Sequence, residues 1–137
     1  METKPPDNFL YEYSVVRYVP RVDREEFINI GLLMMCKRQR WLKGRVELDK
    51  ARILAIDPKA DVDKLRNQCQ MFHKNDIPKA DLPTEEKYRW MASVKNMVIQ
   101  TSPSHPGKII VSSSKDKTDK EILEEEFERL FGELVKI

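Results

Sequence analysis

The side-chain alternation in residues 11–19 constrains the fold of this chain more than any other feature of its sequence. Tyr11, Tyr13, Val15, Arg17 and Val19 share one face of an extended strand, and the intervening residues share the other. The strand ends at Pro20, which fixes the backbone and lacks an N–H donor. Residues 30–36 are apolar and too few to span a membrane, so they predict a buried central strand.

Further strands are predicted at residues 39–48, 97–101 and 109–111, with a hairpin joining 30–36 to 39–48. Residues 102–108 contain two prolines and a glycine and are predicted to be a loop.

Helices are predicted after polar capping residues. Asp61 precedes an apolar stripe at helical spacing, Thr84 precedes two glutamates, and Thr118 with Glu121 forms a capping box before the last helix. A short helical or irregular segment is expected at residues 49–56.

These elements predict an α+β fold, with a mainly antiparallel sheet of about four to five strands and helices packed chiefly on one face. Residues 1–8 are predicted to be a disordered tail, and residues 9–137 a single α+β domain. An unpaired edge such as residues 109–111 offers a route to a dimer, but the oligomeric state is left open.

Composition narrows the functional classes. The net charge of +2 is too small to argue for nucleic acid by itself, and the N-terminus lacks the apolar segment of a signal peptide. Cys36 and Cys69 lie in apolar patterns and are predicted to be reduced core residues of a cytoplasmic protein. With His73 and His105 they are the only thiols and imidazoles, at spacings unlike a structural zinc module, so no metal and no cofactor is predicted.

Charge is unevenly distributed along the chain. Residues 37–52 hold seven basic and two acidic residues, whereas residues 118–137 hold seven acidic and three basic ones. The two segments are expected either to face each other or to mark oppositely charged surfaces. A basic hairpin with an aromatic residue can track phosphates and stack on a base, which gives a nucleic-acid alternative. Its residues are Lys37, Arg38, Arg40, Trp41, Lys43 and Arg45.

Arg17 is the most informative single residue. An arginine on a core-facing row needs a carboxylate or carbonyl partner. Glu25 and Glu26 follow the turn at Pro20, and we expect them to neutralise Arg17; the alternative is that the three residues line a binding site.

Catalysis has weaker support. Ser102 and His105 are close enough in sequence for a nucleophile and its base, but no Gly-x-Ser-x-Gly elbow and no third orienting group can be identified. The interpretation therefore leans against an enzyme without excluding a hydrolytic or small-molecule site.

The opening run YEYSVVRYVPRVDREEFINIGLLMMCKR resembles a bacterial family catalogued as domain of unknown function 3037. Arg89-Trp90, residues 98–107 and the closing Leu130-Phe131 are similar to later parts of the same family. The resemblance implies a polar site at eight motif positions: Arg17, Glu25, Glu26, Asn29, Arg89, Gln100, Ser102 and His105. Members of the family are often encoded beside HipA-like kinase proteins, which implies an accessory role with a protein partner such as a kinase.

The resulting hypothesis is a non-enzymatic, cytoplasmic protein-interaction or accessory module. Nucleic-acid binding through the basic hairpin is the first alternative, and small-molecule binding or hydrolysis at the polar site is the second.

Overall fold

The fold was analysed in a computed structural model, which describes residues 8–73, 82–93, 98–111 and 116–136. Its five strands are β1 (Asn8–Tyr18), β2 (Ile28–Cys36), β3 (Trp41–Val46), β4 (Ile99–Thr101) and β5 (His105–Ile110). Its four α-helices are α1 (Lys50–Ile56), α2 (Val62–Gln68), α3 (Thr84–Ala92) and α4 (Asp119–Leu134). Short 3-10 helices follow β1 (Val22–Arg24) and α2 (Gln70–Phe72).

The sheet is antiparallel and is organised around β1. On one side β1 pairs with β2, which in turn pairs with β3. On the other side the two halves of β1 pair with different strands: Val16–Tyr18 with β4, and Asn8–Tyr13 with β5. The α+β class predicted from the sequence is confirmed.

Helices cover both faces of the sheet because β1 and β2 are apolar on both faces. Leu33 and Met35 of β2 pack in a core with residues of α1, α2 and α3. Leu32, Met34 and Cys36 pack in a second core with Phe127 and the rest of the apolar face of α4. Three helices therefore lie on one face, as predicted for most of the helices, and α4 packs across the other face.

The prediction of a loop at residues 102–108 is wrong from His105 onward, where β5 begins. Proline is tolerated at the edge of a sheet, where its missing N–H faces away from the ladder, and β5 pairs only with β1 among the described strands. Gly107 lies opposite Tyr11, and a Cβ there would come within 2.2 Å of the Tyr11 ring. The glycine therefore marks a close approach of an aromatic ring to the backbone of the strand.

Two of the three predicted helix caps are confirmed. The Asp61 carboxylate accepts from the Lys64 N–H at 3.0 Å, and the Thr118 hydroxyl accepts from the Glu121 N–H at 3.2 Å. Thr84 is not a cap: Pro83 occupies the N-cap position, and Thr84 is the first residue of α3. The predicted tail is one residue too long, because Asn8 already belongs to β1, and residues 1–7 lie outside the described chain.

The oppositely charged segments face each other across the second core. Lys43 of β3 pairs with Glu124 of α4, and both Oε atoms of Glu128 accept from the Arg45 guanidinium at 2.6 and 3.0 Å. These hydrogen bonds from Arg45 hold the pKa of Glu128 below its ordinary value. The basic charge of the hairpin is thus partly neutralised within the fold. None of the described helices combines the length and the apolar character that crossing a membrane requires.

Candidate functional site

Three polar side chains lie side by side across the middle of the sheet. Arg17 of β1 is the direct cross-strand partner of Asn29 on β2 and of Gln100 on β4. Residues directly opposite each other point to the same face of a sheet. Asn29 reaches the Leu134 carbonyl at the end of α4, so this is the face that α4 covers. Three of the eight motif positions, distant in sequence, are thereby brought together.

Tyr13 and His105 extend this arrangement along the same face. They are cross-strand partners, and their rings pack at an angle of 36° with centroids 5.3 Å apart. Tyr13 lies four residues from Arg17 on the same strand, roughly 13 Å away. We call Tyr13, Arg17, Phe27, Asn29, Gln100 and His105 the Arg17 patch; all six are at least partly exposed.

Glu25 and Glu26 were expected to pair with Arg17, and the structure places them elsewhere. Glu26 pairs with Arg24 instead, and within the described residues no ion pair joins Arg17 to Glu25 or Glu26. The reason is the turn: Val22–Arg24 forms a 3-10 helix with Glu25 in the left-handed conformation, and both glutamates are exposed. The prediction that they neutralise Arg17 is therefore wrong.

Arg17 is instead held by an aromatic ring. The centre of its guanidinium lies 4.2 Å from the centroid of Phe27, which is 44% exposed. Its Nε atom is buried and has no hydrogen-bond partner among the residues that the structure describes. A half-buried guanidinium without a carboxylate is unusual, since buried polar groups in native proteins almost always have partners.

Asn29 ties the patch to the C-terminal end of α4. Its side-chain amide donates to the carbonyl of Leu134 at 3.0 Å, and the Arg52 guanidinium donates to the carbonyl of Val135 at 2.9 Å. Both donors satisfy carbonyls that the helix leaves unpaired at its end. The patch therefore borders the negative end of a helix dipole.

Ser102 has a structural environment. Its buried hydroxyl accepts from the Val15 N–H at 2.8 Å and donates to the Pro103 carbonyl at 3.0 Å, while its own N–H donates to Val15. Ser102 thus continues the hydrogen bonding to β1 in the segment between β4 and β5. The structure does not bring it together with His105 as a nucleophile–base pair.

Ser104 belongs to a second polar group on the opposite face. The Tyr88 hydroxyl hydrogen-bonds to Ser14 at 2.7 Å and to Ser104 at 2.8 Å, and Ser104 donates to Glu12 at 3.1 Å. Burial raises the pKa of Tyr88. The Ser-Pro-Ser segment is therefore pinned to the sheet by one serine and to α3 by the other.

Arg89 lies apart from the other motif positions. It is an exposed residue of α3, which packs on the face opposite to α4. The eight predicted positions therefore fall into four groups. Four belong to the Arg17 patch, two are the exposed glutamates of the turn (Glu25 and Glu26), one is Ser102 between β4 and β5, and one is Arg89 on α3.

The nucleic-acid alternative gains little from the geometry. Lys43 and Arg45 pair with α4, and Lys37 pairs with Glu85 at 3.2 Å. Trp41 is half-buried and packs edge-on against Phe127 with centroids 6.4 Å apart, so its ring already has a partner. Arg38 and Arg40 remain exposed at the tip of the hairpin.

The described surface offers limited support for small-molecule or metal chemistry. Four pockets in this part of the chain have volumes of 180, 240, 300 and 440 Å³, and none of these four is lined by Arg17, Ser102 or His105. Glu26 lines the pocket of 180 Å³. No group of three or more metal-ligating side chains occurs among the described residues. Cys36 and Cys69 are buried free thiols.

Sequence reasoning missed Phe27, Tyr13, Tyr88 and Ser104. Because Phe27 precedes an apolar strand, the sequence predicts a core residue there. In the structure its ring contacts the Arg17 guanidinium. The strand alternation places Tyr13 and Arg17 on one face, and this signal was available. No local signal indicates the contact between Tyr88 and Ser104, which are on different elements.

Glu25 provides a stability prediction at the edge of this site. Within the described segments, Glu25 and Arg40 are the non-glycine residues with positive φ, at 55° and 51°, a conformation that suits glycine better. Glu25→Gly is expected to raise the free energy of unfolding by roughly 0.5–1 kcal/mol in urea denaturation. Arg40→Gly is the matched control and should behave alike. Loss of stability in Glu25→Gly alone would mean that the Glu25 side chain holds the turn.

Comparisons with curated proteins and with solved structures found no match. One family model matches residues 13–135, a span that includes β1 from Tyr13, the Arg17 patch and α4. The chain therefore belongs to the family described as protein of unknown function DUF3037.

Proposed function

We propose that this protein is a non-catalytic cytoplasmic module that binds another protein through the Arg17 patch. The observation that carries the proposal is the guanidinium of Arg17, which is half-buried, has no carboxylate partner among the described residues and has a buried Nε without a hydrogen bond. Desolvating an unpaired guanidinium works against folding, so a binding role offers a reason for its presence.

The shape and composition of the patch support a protein partner rather than a small substrate. Arginine and tyrosine are enriched at protein interfaces, and the patch joins Arg17 to the Tyr13–His105 ring pair across roughly 13 Å of sheet. Enzyme sites are usually concave, and the four pockets lie elsewhere. The kinase partner implied by the family resemblance remains a prediction.

Site-specific photo-crosslinking tests this proposal. We would place p-benzoylphenylalanine at Tyr13 in the full chain, irradiate cells that produce the protein, and identify the adducts. The same group at Arg89, on the other side of the sheet, is the control. We expect a protein adduct from position 13 only, and Arg17→Gln should reduce its yield at least about tenfold, because a charged interface contact is lost.

Three outcomes would overturn the proposal: no protein adduct from position 13, an adduct whose yield is unchanged in Arg17→Gln, or an adduct with nucleic acid in place of protein. Arg89→Gln is expected to leave the yield unchanged.

A further inference from the structure

We infer that the Arg17 patch recognises one carboxylate, carried by an aspartate or glutamate side chain of the partner, and that Phe27 holds the arginine in position for it. The inference rests on the proposed function and adds the chemical group that is recognised. It is carried by the contact between Arg17 and Phe27 together with the charges around them.

The contact with Phe27 forms no hydrogen bond with the Arg17 guanidinium. A guanidinium is planar, and its five N–H donors lie in that plane. The Phe27 ring lies 4.2 Å from the guanidinium carbon, within the range in which a ring attracts a cation over its face. Contact with the face restricts the rotamers of Arg17 without consuming a donor. The result is a guanidinium whose two terminal nitrogens, unlike the buried Nε, can meet a bidentate acceptor end-on.

The charges favour a monoanion over a phosphate. Arg17 is the only lysine or arginine in the patch, so it balances a single negative charge. Asn29 donates to Leu134, which brings the C-terminal end of α4 next to Arg17. The partial negative charge at this helix end, which Arg52 offsets in part through its hydrogen bond to the Val135 carbonyl, opposes a dianion more strongly than a monoanion. A carboxylate fits this balance better than the dianion of a phosphate monoester does.

The exposure of Phe27 supports a positioning role. Phe27 and Val22 are the large apolar residues left 44% exposed in the turn that joins β1 to β2. Val22 has no aromatic ring with which to attract a cation, whereas the Phe27 ring lies against the Arg17 guanidinium. Val22 therefore serves as the matched control for Phe27.

The test titrates the ¹⁵N-labelled full chain and follows the Arg17 Nε–Hε signal, identified by its loss in Arg17→Lys. The probes are N-acetyl-glutamate α-amide, its neutral counterpart N-acetyl-glutamine α-amide, and inorganic phosphate. We expect a saturable shift with the glutamate compound only, with a dissociation constant on the order of tens of millimolar for one charge-assisted bidentate contact. Phe27→Ala should weaken binding by about fivefold, whereas Phe27→Tyr and Val22→Ala should leave it unchanged.

Tighter binding of phosphate, no saturable shift with the glutamate compound, or equal affinity in Phe27→Ala would overturn the inference. Its failure can be told apart from that of the proposed function. A protein adduct from position 13 without carboxylate binding removes only the inference. Carboxylate binding without any adduct removes the protein partner and leaves a site for small carboxylates.

Discussion

Phe127→Ala is expected to lower the free energy of unfolding by about 3–5 kcal/mol, the range for truncating a buried phenylalanine. Phe127 is fully buried and stacks on Phe131 with ring centroids 5.9 Å apart. It also lies beneath two cations, with Lys43 Nζ 5.0 Å and the Arg45 guanidinium carbon 5.3 Å from its centroid. Truncation would open a cavity between α4 and the sheet and remove the ring that these cations cover.

The effect is large relative to the total stability of such a domain, which is typically about 5–15 kcal/mol. Phe27→Ala is the control, since it removes the same ring from an exposed position and should change stability by less than about 1 kcal/mol. Urea denaturation followed by circular dichroism measures both. Equal losses in the two variants would contradict the placement of α4 over the second core.

Ser102→Ala is expected to lower the free energy of unfolding by about 1–3 kcal/mol, because it leaves the buried Val15 N–H without an acceptor. The Ser102 hydroxyl accepts that bond at 2.8 Å, and the residue is 4% exposed. The loss should appear as a lower urea midpoint with an unchanged slope.

Ser104→Ala is the matched variant. Ser104 is exposed, and Tyr88 would keep its hydrogen bond to Ser14, so the loss should stay below about 1 kcal/mol. A urea midpoint for Ser102→Ala equal to that of the parent would show that the serine does not hold the ladder. A role for Ser102 as a nucleophile would then have to be considered again.

The elements that local patterns define were predictable. The alternation of β1, the apolar run of β2 and the amphipathic pattern of α4 each depend on residues close together in sequence. The opposite charges of residues 37–52 and 118–137 also suggested the contact between β3 and α4, though not which residues pair.

Features that depend on distant residues were not predictable. Pro106 and Gly107 are residue types typical of loops. Only the structure shows that they pair with β1 and that the Tyr11 ring lies against Gly107. From the sequence, Arg17 was assigned to Glu25 and Glu26, the two glutamates that follow the turn at Pro20. In the structure Glu25 has a left-handed conformation, and the turn does not bring the two glutamates to Arg17. No local pattern indicates that Phe27 contacts the guanidinium instead.

The candidate site was therefore predicted in part. Cross-strand register unites Arg17, Asn29 and Gln100, which the sequence had marked only as separate motif positions. Register depends on the whole sheet, and for that reason Arg89 could not be separated from this group until α3 was placed on the other face.

The central claim is that Arg17 serves binding and not folding, and replacing it with methionine tests this most directly. Methionine keeps much of the apolar stem and removes the desolvated charge. Arg45→Met is the control, because Arg45 pairs with Glu128 and covers Phe127 and Phe131. In urea denaturation we expect Arg17→Met to gain about 1 kcal/mol and Arg45→Met to lose about 1 kcal/mol. A loss of stability in Arg17→Met as large as that in Arg45→Met would show that Arg17 is a structural residue and would contradict the claim.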